Sequence, residues 1–284
     1  MAETQPAELT LAYINRVADA LADAGDGPLA ARATSLVLGG RPDLANALIN
    51  RAFETRQDYS SANLIAFHVT LNALHIFADD PERHDALNLA HTLLDAQPKP
   101  RLVAIGGLSG SGKSTLARAL AERLCPPLGA FWLRTDGIRK RLLGLPPEIR
   151  LGEEGYKPVI SGKVYRRLAT TTQELLEKSQ TVIAEATFTR RQSRNVMEKI
   201  AAKAQAPFTG IWLEAPLETM IARADSRAFS DNPNTEASDA TGEIVARQAK
   251  ELRGEIRWHR LSTNRPFDEV LADALGLLQP GGSP

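Results

Sequence analysis

The sequence predicts a parallel α/β domain preceded by a small all-α domain. Three observations carry this reading. From Arg101 onward, short apolar runs alternate with segments of helical period, the pattern of a parallel sheet with crossover helices. Residues 1–96 show helical spacing only. Between the two parts stands Gln97-Pro-Lys-Pro100, a composition typical of a boundary. The expected domains are therefore 1–98 and 99–284.

In the first part the spacing predicts helices over 9–21, 28–38, 42–53, 60–77 and 81–94. In the first of these, Leu9, Ala12, Tyr13, Val17, Ala20 and Leu21 share one face. Gly25-Asp-Gly-Pro28, Gly39-Gly-Arg-Pro42 and Asp79-Asp-Pro81 punctuate the helices, and each proline suits a first helical turn. In the second part the expected strands are 102–106, 130–135, 181–185, 208–213 and 256–261. The expected helices are 113–125, 137–143, 162–178, 190–205, 216–227, 241–253 and 266–278.

The strongest chemical signal is Gly107-Leu108-Ser109-Gly110-Ser111-Gly112-Lys113-Ser114, followed by Thr115. It is the full pattern G-x-x-x-x-G-K-[ST], set between an apolar strand and a helix. Glycines let backbone N–H groups face phosphate oxygens, and the following helix adds the positive end of its dipole. Lys113 is placed to reach the β- and γ-phosphates and the Ser114 hydroxyl to ligate Mg²⁺. A nucleoside triphosphate is the expected ligand.

Further polar groups fall at the expected strand ends, where open α/β sheets hold their ligands. Asp136, after Arg134-Thr135, is positioned to take the proton of an attacking hydroxyl, with Arg139 one turn on to hold an anionic group. Glu185 ends the third strand beside the loop strand and suits a Mg²⁺-organising carboxylate. Thr187, Arg190, Arg191 and Arg194 follow on the substrate side. The stretch around 223–240 reads as a lid: Arg223 and Arg227 share a helix face, and a polar loop follows. Arg227 is expected to act on the transferring phosphoryl group and Arg223 on the substrate. Thr263-Asn-Arg-Pro266 is placed to border the base of the nucleotide.

Composition narrows the classes. No run of 18 apolar residues predicts a membrane span, and the start of the chain lacks the charge and apolar core of a secretory signal, so the cytoplasm is the expected compartment. The lone Cys125 excludes an internal disulfide framework and reads as a packing residue. His68, His75, His84 and His91 lack the i, i+4 spacing of a helical metal site. Residues 1–100 carry 7 basic and 13 acidic side chains, net −6, which leaves +6 on the remainder. A mildly basic second part suits a phosphorylated ligand and disfavours a long nucleic-acid channel.

Residues 101–278 resemble the P-loop kinases of the group containing gluconate kinase, chloramphenicol phosphotransferase, phage polynucleotide kinase and zeta toxins. The likeness is strongest to the kinase domain often fused behind an aminoglycoside-phosphotransferase-like domain. It rests on the loop through Thr115, Arg134-Thr-Asp136 with Arg139-Lys140, Val182-Ile-Ala-Glu-Ala-Thr-Phe188, and Ser238-Asp-Ala240 with Gln248. The resemblance implies a three-layer α/β/α domain with strand order 2-3-1-4-5, ATP with Mg²⁺, and phosphoryl transfer to a hydroxyl; it does not fix the acceptor, for which a small molecule is the expectation. It also implies a catalytic base at Asp136 and a phosphate-binding role for Arg139. The third-strand acid departs from the pattern, being Glu185 where Asp is usual. Alternatives within reach of the sequence are a nucleotide-dependent regulatory module, a polynucleotide 5′-hydroxyl kinase and a toxin-like nucleotide-sugar kinase. The helical N-terminal domain is expected to bind a partner or to oligomerise.

Overall fold

The computed structural model describes residues 11–96, 99–145, 149, 151, 153–228 and 241–279. The chain divides into two compact units, one of residues 1–97 with 125–129 and one of residues 98–124 with 130–284.

The first unit is helical: α1 (Leu11–Ala22), α2 (Asp26–Leu38), α3 (Pro42–Arg56), α4 (Ile65–Asp79) and α5 (His84–Asp95). Helix α3 packs on α1 and α2, and α4 packs on α2 and α5. The buried Arg51 closes one of these contacts, donating to both carboxylate oxygens of Asp19 at 2.8 and 2.7 Å. Pro42 opens α3 at its first position and Pro28 lies in the first turn of α2. Pro81 differs from expectation. It sits in the turn, and α5 starts only at His84, after Arg83 N–H has closed the turn onto Asp80 O.

The second unit holds the sheet: β1 (Leu102–Gly106), β2 (Phe131–Arg134), β3 (Val182–Glu185), β4 (Phe208–Glu214) and β5 (His259–Ser262). All pairs are parallel and the order is β2-β3-β1-β4-β5, as the resemblance implied. Its helices are α6 (Lys113–Arg123), α7 (Thr135–Leu142), α8 (Pro158–Glu177), α9 (Arg191–Lys203), α10 (Leu217–Ala228), α11 (Gly242–Glu251) and α12 (Phe267–Gly276). Strands buried on both faces read as continuous apolar runs, and β1 and β3 are buried throughout. On one face Val103, Ile105, Ile183 and Ile211 pack with Leu116 and Leu120 of α6 and Leu271 of α12.

The opposite face is aromatic. Trp258 makes edge contacts with Phe188 and Phe208 at centroid distances of 5.1 and 5.9 Å, and Phe188 continues the row to Tyr165 at 5.9 Å. Gly210 on β4 permits this, since a Cβ there would lie 2.4 Å from the indole of Trp258. Cys125 is not a packing residue. Helix α6 ends at Arg123, and Cys125 follows in a left-handed conformation (φ 57°), exposed to solvent.

The register decides where the chemistry falls. Glu185 is paired with Ile105 on one side and with Arg134 on the other. The ends of β2, β3 and β1 therefore reach the same edge of the sheet, and the segments that follow them start side by side. The close packing at Gly210 is directly testable. Gly210→Ala should lower unfolding free energy by about 1–3 kcal/mol, because a boxed-in indole has nowhere to move, and a shift of the urea midpoint measures it.

Candidate active site

The loop after β1 is shaped by backbone that side chains cannot adopt. Gly107 and Gly110 have φ of +143° and +81°, and a Cβ on Gly110 would meet Met220 O at 2.1 Å. The loop is nailed down by its own second residue. Leu108 is buried with Met220 and Ala224 of α10 and Val245 of α11. The Leu108–Ser109 peptide is then gripped at both ends: Lys113 Nζ donates to Leu108 O at 2.9 Å, and Ser109 N–H donates to Gln248 Oε1 at 2.9 Å. Ser111 Oγ is fully buried with no hydrogen-bond partner among the described residues.

Two carboxylates stand by the loop in different states. Glu185 is 7% exposed, accepting from Ser114 Oγ at 2.7 Å and from Trp132 Nε1 at 3.0 Å. Burial pushes its carboxyl above the usual carboxylate range, and nearby Lys113, the Ser114 hydroxyl and Arg134 only partly oppose this. It does not cap the helix that follows. Asp136 lies in the first turn of α7, which starts at Thr135, two residues earlier than expected. It is exposed, makes no capping bond, and has no hydrogen-bond partner among the described residues.

Arg139, one turn on, is buried at 6% exposure. Its Nη1 donates to Gly155 O at 2.7 Å and Ser161 Oγ at 3.2 Å, and its guanidinium lies over the Tyr156 ring at 4.9 Å. Its Nε is buried without a partner among the described residues.

The turn from β3 to α9 is held under strain. Phe188 is fully buried with φ of +46°, a conformation that costs a bulky residue about 1–3 kcal/mol. Both of its peptide groups are fixed. Tyr165 Oη accepts from Phe188 N–H at 3.0 Å and pairs with Thr187 Oγ1 at 3.1 Å. Arg194 donates to Phe188 O at 2.7 Å, and its other terminal nitrogen reaches the carbonyls of Arg253, Gly254 and Glu255 at 3.0, 3.2 and 3.0 Å. Arg194, expected on the substrate side, is thus 2% exposed and joins the β3–α9 turn to the segment after α11.

These groups enclose a cavity of about 360 Å³. Ser109, Gly110, Gly112, Lys113 and Ser114 line one part, and Asp136, Arg139, Glu185, Thr187 and Arg190 line another. Of the other expected loop contacts, Gly107, Leu108, Ser111 and Thr115 support the loop without lining the cavity. Arg223 is directed elsewhere. It donates to Thr263 Oγ1 and Thr263 O at 3.2 and 2.9 Å, bracing the 263–266 loop. The Arg227 side chain and residues 229–240, including Ser238-Asp-Ala240, lie outside the described residues.

On α11 the sequence pointed to Gln248 alone, as part of the pattern that carries the resemblance, and gave no role to the rest of that face. Ile244, Arg247, Gln248 and Glu251 all line the cavity, and their i, i+3, i+4, i+7 spacing was the available signal. Tyr165 was also missed, because only the turn at Phe188 brings it to the site.

The state of Glu185 has a measurable consequence. A raised folded-state pKa means that its stability contribution is full below the usual carboxylate range and is lost as pH rises through the raised value. Glu185→Gln should therefore melt progressively higher than the wild type as pH rises from 4 to 8, read as the difference in Tm without added metal; a difference independent of pH would contradict the assignment.

Comparison with known proteins gives matches of three kinds. A family model described as an AAA domain matches residues 102–254. An uncharacterized protein of Mycobacterium tuberculosis (strain ATCC 25618 / H37Rv) is 27% identical over 281 residues, 93% of this chain and 52% of its own length. The chain thus spans about half the length of the first curated relatives it matches. An adenylyl-sulfate kinase of Myxococcus xanthus (strain DK1622) is 36% identical over 120 residues, 41% of this chain and 59% of that enzyme. Among solved structures, the Mycobacterium tuberculosis APS kinase CysC in complex with AMPPNP and APS is 22% identical with a TM-score of 0.47, over 64% of this chain and 99% of that one. The family model covers more than half of the residues, from β1 to the turn after α11, and the chain belongs to this AAA-domain family.

Proposed function

We propose that this chain is an ATP- and Mg²⁺-dependent kinase that transfers the γ-phosphoryl group to a hydroxyl of a small-molecule acceptor, with Asp136 as general base. The observation that carries this is the pair of carboxylates of opposite character in one cavity. Glu185 is buried and bonded to Ser114, while Asp136 is open and unused by the fold. Two acids kept in such different surroundings suit two different tasks. The 36% identity to an adenylyl-sulfate kinase over 120 residues supports a kinase reading.

The residues present fit these ligands. A loop shaped by left-handed glycines at a helix start, its Gly110, Gly112, Lys113 and Ser114 lining the cavity, suits a phosphate cradle. Ser114 Oγ and Glu185 Oε1, 2.7 Å apart, are hard oxygen donors of the kind that hold Mg²⁺ with help from phosphates and water. When bound, the nucleotide supplies the phosphoryl group and the metal offsets its charge. Lys113, held at Leu108 O, would donate its other N–H groups to phosphate oxygens. Arg139 and Thr187 would orient the acceptor, its hydroxyl toward Asp136. Asp136 would take the hydroxyl proton as that oxygen bonds to phosphorus and the bond to the leaving nucleotide breaks.

The test is transfer of label from γ-labelled ATP to pooled hydroxyl metabolites, antibiotics and 5′-hydroxyl oligonucleotides, with Lys113→Ala as blank. Asp136→Asn should bind nucleotide within about twofold of the wild type and lose at least about a hundredfold in transfer rate. Undiminished transfer by that variant would remove Asp136 as the base.

A further inference from the structure

Helix α11 offers the cavity one side chain whose orientation is fixed by the loop itself. Ser109 N–H is a donor only, so the Gln248 atom 2.9 Å from it is the amide oxygen. That settles which way the amide faces. Its NH2 group lies on the other side of the same planar amide, on a residue that lines the cavity. No hydrogen bond engages that NH2 among the described residues. The structure therefore presents two unused N–H donors beside the phosphate loop, on a neutral group that adds no charge.

The position of these donors along a bound triphosphate follows from the Leu108–Ser109 peptide. Its carbonyl holds the amine of Lys113 and its N–H holds Gln248. Lys113 is the residue that reaches the β- and γ-phosphates. Gln248 is joined to the same peptide, so its amide stands within about 8 Å of the lysine amine. The 263–266 loop, which the sequence suggests for the base side of the nucleotide, is held instead by Arg223.

Helix α11 is also well placed to keep a donor still. Asp225 accepts from Gly242 N–H at 2.7 Å at its start, Val245 is buried against Leu108, and Arg194 grips the carbonyls just beyond its end.

We propose that Gln248 is a nucleotide-binding residue whose side-chain NH2 donates to the terminal phosphate of the bound triphosphate while its oxygen holds the loop. This rests on the kinase reading above. It predicts that Gln248 distinguishes a triphosphate from a diphosphate, which a mere tether of the loop would not do.

The test uses the full chain, Mg²⁺, the non-hydrolysable analogue AMPPNP and ADP, with affinities measured by calorimetry. Gln248→Met removes both donor and acceptor at similar length. Gln248→Leu, also uncharged, is measured beside it, and the melting temperature of each without nucleotide shows that it folds. Each should weaken AMPPNP binding about tenfold more than ADP binding, the size expected for one lost hydrogen bond to a charged group. If AMPPNP and ADP weaken equally, or neither changes, Gln248 is a tether and the proposal falls while the kinase reading stands. If the wild type binds neither nucleotide, both readings fall together.

Discussion

The parallel pairing of β3 between β1 and β2 is the constraint on which the site depends. One register sets Glu185 opposite both Ile105 and Arg134. The phosphate loop, the buried acid and the first turn of α7 then emerge together at the carboxyl edge. A slip of one residue would turn Glu185 to the other face of the sheet and break its bonds to Ser114 and Trp132. The apolar faces that lock this register, Val103, Ile105 and Ile183 against α6, are therefore part of the chemistry although they touch no ligand.

Much of this was legible in the residues. The five strands and the helices between them follow from alternating apolar runs, and the loop announces itself because few patterns need glycine, lysine and serine at those offsets. Asp136 and Glu185 were readable because strand ends are where such folds keep polar groups. Contacts that close over long sequence distances were not. Nothing in the local pattern says that Arg194 turns inward to four carbonyls rather than outward to a substrate, because an arginine at a helix start looks alike in both cases. Arg223 carried the same ambiguity, which Thr263 resolves. Gln248 could be recognised as part of a motif, but its partner, a backbone N–H 139 residues away, could not.

The cavity wall has two kinds of support. The loop side is fixed by backbone geometry and by Leu108, which ties it to α10 and α11. The opposite side is fixed by a strained turn, where Phe188 holds a left-handed conformation because Tyr165 and Arg194 secure the peptide groups around it. Strain of that kind persists only where neighbours over-determine it. Here those neighbours belong to α8 and α9, so the turn bearing Thr187 is braced from two helices at once.

The Arg194 joint differs in kind from an ion pair. Its partners are peptide carbonyls, which neither titrate nor exchange for counter-ions, and its guanidinium is sheltered from solvent. Debye screening acts on exposed charges and leaves such a contact nearly untouched. The framework that links the β3–α9 turn to the segment after α11 is therefore indifferent to ionic strength. Any salt dependence in ligand binding reports on the charges that face the cavity, and the protein offers a fixed background against which their contribution can be read.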